Sequence, residues 1–244
     1  MPTFRDHFAF AARSYAAFRP HYPAALFDWL AGASPRRERA WDCGTGSGQA
    51  AVGLATHFDV VVATDPSLQQ LGSAQRARGV EYLAMPAESA ALADASVDLV
   101  AVAQALHWFD RPRFFGEVDR VLRPGGMLAV WSYGLLAITP AIDAVLHALY
   151  VHTLGDYWPS ERALVDSGYA GIDLPYPELT TPHFSMQASW ELQDLEGYLS
   201  TWSAVGRYRA VTGADPLQPL HHALASAWGS ERRLAVRWPL VVRA

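Results

Sequence analysis

The 244-residue chain is 51% hydrophobic and 18% charged, a globular composition that argues against disorder and allows one large core. Its net charge of -5 offers no Lys and Arg surplus for nucleic acid, and no apolar run approaches the ~20 residues that span a bilayer. The single cysteine, Cys43, excludes an intramolecular disulfide; with no leader-like N-terminus, the expected compartment is the cytoplasm.

In chain order, short β-like runs alternate with helical ones from residue 39 to residue 131. Strands are predicted at 40–43, 60–64, 80–84, 97–103 and 127–131, with helical stretches at 48–58, 68–77 and 112–122. The near-continuous apolar character of these strands fits a parallel sheet covered by helices on both faces. Arg123-Pro124-Gly125-Gly126 supplies a helix stop and a tight turn into the fifth strand. Beyond Tyr133 the rhythm changes. Ile142, Val145, Leu146 and Leu149 are spaced as one helix face, and the stretch from there to Thr181 is rich in Tyr, Pro and Gly. A strand follows at 183–190, then helices at 192–205 and 217–228, then a β-like run at 233–242. Pro239 inside that last run suggests an edge or bent strand. There is no internal repeat and no low-complexity linker, so a single domain over 1–244 is expected.

The densest chemistry lies at Asp42-Cys43-Gly44-Thr45-Gly46-Ser47-Gly48. Glycines at alternate positions remove Cβ atoms and permit positive φ, so a ligand can lie on the backbone, and the helix that follows adds unpaired N–H groups. Asp42 adds a negative charge. Donors on one side and an anion on the other suit a ligand bearing both an ammonium and a carboxylate, which points to S-adenosylmethionine. Ligands of open α/β sheets bind beyond the carboxyl ends of the strands, and four further strand ends carry suitable groups. Asp65 can accept both hydroxyls of a ribose. The backbone of Met85-Pro86-Ala87-Glu88 can read an adenine edge. Gln104-Ala105-Leu106-His107-Trp108 and Trp131-Ser132-Tyr133 close the fourth and fifth strands. A dinucleotide fingerprint starting at Gly44 would need a small residue at Gln49, and Asp42 sits badly beside a pyrophosphate, so a nicotinamide-dependent oxidoreductase is the weaker reading.

These segments, with Tyr15-Ala16-Ala17-Phe18-Arg19-Pro20-His21-Tyr22-Pro23, Ala63-Thr64-Asp65-Pro66-Ser67, Pro86-Ala87-Glu88, Ala105-Leu106-His107-Trp108-Phe109 and Leu122-Arg123-Pro124-Gly125-Gly126, carry a resemblance. The chain resembles the class I S-adenosylmethionine-dependent methyltransferases, within them the small-molecule branch that contains trans-aconitate methyltransferase. The resemblance implies a Rossmann-like seven-stranded, mostly parallel sheet with the last strand antiparallel and a helical cover over the active site. It implies an N-terminal lid segment at 1–30, an acceptor-side cover at 134–206, and methyl transfer to a small O, carboxyl or N acceptor. Asp42 is then expected near the methionyl amine and Asp65 on the ribose. Ala87 and Glu88 are expected to flank the adenine, Gln104 to lie by the sulfonium, and Tyr15 and Arg19 to fold over the methionine moiety. Gly44, Thr45, Gly46, Gly48, Pro66 and Ala105 complete the expected donor site. A donor-binding pseudoenzyme or scaffold would share all of these residues.

Several side chains carry two readings. His107 is the histidine at an active-site strand end, either a general base or an orienting group in the turn. Tyr22, Trp108, Trp131 and Tyr133 are candidate walls of the acceptor pocket. Arg19, Arg207 and Arg209 are candidate carboxylate contacts and equally ordinary surface cations. Cys43 beside Asp42 reads as a packed small side chain rather than a reactive thiol. His221-His222 is not expected to bind metal, because adjacent residues face different sides of a helix.

Overall fold

In the computed structural model, which describes residues 20–244, seven strands form one sheet: β1 (Arg39–Cys43), β2 (Val60–Thr64), β3 (Val80–Leu83), β4 (Val97–Ala103), β5 (Leu122–Tyr133), β6 (Phe184–Trp190) and β7 (Leu234–Arg243). Their order across the sheet is β3-β2-β1-β4-β5-β7-β6. The first five are parallel, and β7 runs antiparallel to both β5 and β6. The order reverses at β1, where β2 and β4 leave in opposite directions, and ligands of such sheets bind there.

The apolar runs of β4 and β5 are continuous because both faces are covered. Leu99, Ala101, Met127, Ala129 and Trp131 pack on one side, and Val100, Val102, Leu128 and Val130 on the other. The first side is covered by α1 (Ala24–Ala33), α2 (Gln49–Leu54), α5 (Pro140–Ala148), α7 (Leu192–Ser200) and α9 (His221–Trp228). The second is covered by α4 (Arg111–Val121) and the segment carrying α6 (Arg162–Asp166). Among the described residues two further α-helices are α3 (Leu68–Gly72) and α8 (Ser203–Thr212). At the sheet edge β3 alternates half-buried and exposed residues.

Three departures from the sequence expectations have a local physical cause. Residues 123–126 do not sit between helix and strand as a simple turn. Val97 pairs with Leu122 and Leu99 with Met127, so Arg123-Pro124-Gly125-Gly126 bulges out of a strand already begun. A Cβ on Gly126 would stand 2.9 Å from the Arg123 carbonyl, which leaves glycine as the residue that closes the bulge.

The second departure corrects the edge-strand expectation for 233–242: β7 lies inside the sheet. Arg237 exchanges both backbone hydrogen bonds with Ala137 at 2.9 Å, so Pro239, two residues on, turns its nitrogen to the same side. On that side the β5 ladder ends at the Tyr133–Leu240 pair, and Pro239 falls in the gap before the Ala137 bridge. A missing N–H costs nothing there.

The third is the helix expected over 192–205, which is two helices. The Ser200 and Thr201 hydroxyls each donate to carbonyls three residues back, at 2.6 Å, and Trp202 is extended. Such local bonds compete with helix continuation.

Candidate active site

The glycine loop follows β1. Gly44, Gly46 and Gly48 have φ of 71°, 54° and 83°, a region that side chains occupy at a cost. The three differ in what surrounds them. A Cβ on Gly44 would stand 2.6 Å from the Ala105 Cβ, and one on Gly48 would fall on the Tyr82 hydroxyl. No described residue lies within 4 Å of the Cβ position of Gly46, so among the described residues packing does not account for this glycine. The loop is set by its own bonds. Gly44 N and Thr45 N both donate to the Thr64 carbonyl at 2.9 Å, and Gly48 N donates to that of Thr45 at 2.9 Å.

Asp42, at the end of β1, is fully buried. Its Oδ2 accepts from the Thr45 hydroxyl at 2.5 Å, while Oδ1 has no hydrogen-bond partner among the described residues. The Ala51 amide in the first turn of α2 also draws the carboxyl pKa down, without completing a bond to Oδ1. Burial outweighs both and raises Asp42 to about 7. A buried carboxylate oxygen without a donor is costly, and a cationic ligand would satisfy it. The adjacent Cys43 thiol is buried and pushed well above its ordinary value, first by burial and then by Asp42.

Asp65 ends β2 and ties two turns together. Its Oδ2 accepts from Gly46 N at 3.0 Å and its Oδ1 from Ser67 N at 2.9 Å. Pro66 is exposed and Ala87 buried. The loop carrying Ala87 is clamped from α4: Arg120 donates to the Leu92 and Ala90 carbonyls at 2.7 and 3.0 Å, and Glu117 accepts from Ala90 N at 2.6 Å. Glu88 Oε1 accepts from Asp110 N at 2.9 Å, which binds this loop to the start of α4.

Gln104 takes φ of 57° immediately after β4. Its side chain acts as a further backbone unit, with Nε2 donating to the Tyr133 carbonyl at 3.0 Å and Oε1 accepting from Tyr133 N at 2.8 Å. Both ends of the carboxamide therefore hold β5 in place. Ala105 packs under the glycine loop. His107 is nearly buried, and its Nδ1 lies 3.0 Å from the Tyr169 hydroxyl. Burial first, and then the charge of Arg162, lower His107 to about 4.

Beyond Gln104 and His107 opens a cavity walled by Trp108, Tyr133, Trp158, Arg162, Tyr198 and Trp202. Of the four candidate wall residues, Trp108 and Tyr133 line it. Tyr22 and Trp131 do not: they pack edge to face against each other with ring centroids 5.6 Å apart, and Trp131 is fully buried. Tyr15 and Arg19 lie outside the described residues. Arg209 is engaged by Asp215 at 3.0 Å, and Arg207 is exposed and off the cavity. His221 pairs with Glu196 at 2.6 Å, and the described residues hold no group of three or more candidate metal ligands. No described helix is long and apolar enough to cross a membrane.

Trp158, Arg162, Tyr169, Tyr198 and Trp202 were not foreseen. They come from residues 158–202, and no spacing in that stretch marks them, because they meet only when it folds back over the strand ends. The interruption between α7 and α8 puts Thr201, Trp202 and Ser203 on the cavity.

A methyltransferase-domain family model matches residues 41–130, the span from β1 into β5. A Dictyostelium discoideum protein bearing a methyltransferase name is 37% identical over 245 residues, covering 97% of this chain and 93% of that one. A Saccharomyces cerevisiae protein named as an S-adenosylmethionine-dependent methyltransferase is 29% identical over 133 residues, 51% of this chain and 46% of that one. A solved structure from Anaeromyxobacter dehalogenans, described as a type II methyltransferase, superposes with a TM-score of 0.87 at 48% identity, covering 93% of this chain and 97% of that one.

Proposed function

The chain belongs to the class I S-adenosylmethionine-dependent methyltransferases, and on that premise we propose that it methylates a small molecule held in the cavity beyond Gln104 and His107. The observation that carries this reading is the buried, unpartnered Asp42 Oδ1 beside the open face of Gly46. When bound, S-adenosylmethionine supplies a sulfonium-attached methyl already activated for in-line displacement. Asp42 would hold the methionyl ammonium and Asp65 the ribose hydroxyls. Ala87, with Pro66 and Glu88 beside it, would border the adenine. Gln104, locked to β5, would set the boundary between donor and acceptor, and Ala105 and Thr45 would keep the glycine loop and Asp42 in register.

Residues 134–206 would act as the acceptor-side cover and 1–30 as a lid, both within one domain that spans the chain. The chain's contribution to rate is alignment in a closed, partly dry cavity, which supplies several kcal/mol of the barrier. The order of the motifs supports the branch that contains trans-aconitate methyltransferase.

Calorimetric titration with S-adenosylhomocysteine tests the donor site: one-to-one binding is expected, and its absence in the intact protein would reject the assignment. The titration should also depend on pH. Binding an ammonium favours ionised Asp42, so a proton is released on binding below the Asp42 pKa of about 7. Affinity is expected to fall about tenfold from pH 8 to pH 6, with the slope removed in Asp42→Asn. In the absence of ligand the sign reverses. The folded pKa is raised from 3.8, so Asp42 favours the fold below pH 3.8, and that contribution is lost as pH rises to about 7.

We assign His107 a positioning role through Tyr169 rather than that of a base. An imidazole held near 4 is neutral across the working range, and its Nδ1 is engaged by Tyr169. His107→Gln is therefore expected to retain the pH dependence of kcat between pH 5.5 and 8. Loss of a limb of that profile in the variant would restore the general-base role.

A further inference from the structure

Arg162 differs from the other charged side chains around the cavity. Its Nε donates to the Tyr150 hydroxyl at 2.7 Å and to Asp166 Oδ1 at 3.0 Å. Its guanidinium carbon lies 5.0 Å from the centroid of Trp158 and 5.4 Å from that of Tyr150. These contacts fix the plane of the group and use only the stem-side nitrogen. The two terminal nitrogens, which carry most of the hydrogen-bond donors, have no hydrogen-bond partner among the described residues, although the side chain is only 22% exposed. A guanidinium held in one plane with both terminal nitrogens available can close a bidentate pair with a carboxylate or phosphate.

The surroundings narrow what that partner is. Gln104 is neutral, and its amide is held by one bond at each end to Tyr133. His107 is neutral and bonded to Tyr169. Asp166 balances the Nε side of Arg162 and also accepts from Tyr150, and Glu161 acts on His107 from the neighbouring position. The remaining walls are dominated by the aromatic side chains of Trp108, Tyr133, Trp158, Tyr198 and Trp202, with apolar Leu135 and Val165 and the small polar Thr201 and Ser203 among them. One fork-shaped cation on an aromatic wall selects a compact organic anion with an apolar or unsaturated body. A phosphate ester would bring more charge and hydration than a single guanidinium, already shared with Asp166, can offset.

We propose that the methyl acceptor carries a carboxylate that pairs in bidentate fashion with the terminal nitrogens of Arg162 while its carbon skeleton lies against Trp158 and Trp202. This deepens the methyltransferase reading and rests on it. Arg162 is then the specificity-determining residue of the acceptor pocket. Neither Arg207 nor Arg209 has that role, since one is off the cavity and the other is paired to Asp215.

The test uses the full chain saturated with S-adenosylhomocysteine and three pairs of probes: cinnamate, hexanoate and glutarate against the corresponding amides. Binding is read by calorimetry. At least one acid is expected to bind, and its amide about tenfold more weakly or worse, a comparison within the wild-type protein that needs no variant to fold. Arg162→Met is expected to abolish the preference for acid over amide and to leave S-adenosylhomocysteine affinity unchanged. Arg162→Lys should recover part of the preference, because it restores charge without the fork. Failure of all three acids to bind, equal affinity for acid and amide, or an undiminished preference in Arg162→Met would overturn the proposal while leaving the donor site standing. Failure of S-adenosylhomocysteine itself to bind would instead strike the donor assignment.

Discussion

Asp65→Ala is expected to lower S-adenosylhomocysteine affinity by about two orders of magnitude, the effect of removing charge-assisted hydrogen bonds together with the organisation of the loop they reach. The carboxylate has two tasks at once. It would receive the ribose hydroxyls, and it already holds Gly46 N and Ser67 N. The variant therefore loses a ligand contact and the bond that keeps the centre of the glycine loop facing the site. Asp65→Asn separates the two tasks, since it keeps one acceptor oxygen but replaces the other with a donor. It should bind more weakly than wild type and more tightly than the alanine variant. Gly46→Val is the companion. Its side chain would meet no atom of the described residues, so its lost affinity would report on the ligand's approach, while the positive φ costs about 1–2 kcal/mol of fold stability. Titration of the three variants, with melting temperatures recorded alongside, checks all of this. Near wild-type affinity in Asp65→Ala would remove Asp65 from the donor site.

The second large effect concerns stability rather than binding. Asp98, at the opposite end of β4 from the site, is fully buried. Its Oδ2 accepts from Glu38 N and Arg39 N, each at 3.0 Å, and its Oδ1 from Arg123 Nη1 at 2.8 Å. These bonds join the start of β1 to the bulge that opens β5 and hold the carboxyl below its usual range despite burial. Asp98→Ala leaves two backbone donors at the start of β1 unsatisfied and is expected to cost about 2–4 kcal/mol, or roughly 10 °C in melting temperature. The sign with pH follows from the lowered pKa. The contribution of Asp98 is fully present above the unfolded value of 3.8 and is lost as pH falls through the folded one. Wild type and Asp98→Ala should therefore converge in stability toward pH 2, and thermal unfolding across pH 2–7 measures it.

The two residues also show what kind of information each came from. Asp65 was legible because it follows an apolar strand and precedes Pro66-Ser67, so its position at a strand end needs only local pattern. Asp98 reads in sequence as the second residue of an apolar run. Nothing local says that it is buried, or that Glu38, Arg39 and Arg123 converge on it from two other strands.

The sequence by itself determined the doubly wound half of the sheet, the glycine loop with Asp42, and the donor-side strand ends. These are short-range features: alternating periodicity, positive-φ glycines and helix stops act within a few residues of themselves. Only the tertiary structure decided the rest. Pro239 lies inside the sheet because β5 ends opposite it. Trp131 went into the core because strand register chooses the face a side chain takes, while Trp108 reached the cavity from the turn after β4. Arg162 and Trp158 became cavity walls because residues 134–202 fold back over the strand ends, bringing together side chains far apart in the chain. Contacts of that kind leave no spacing to read, and for this reason the donor was legible in the chain while the walls of the cavity were not.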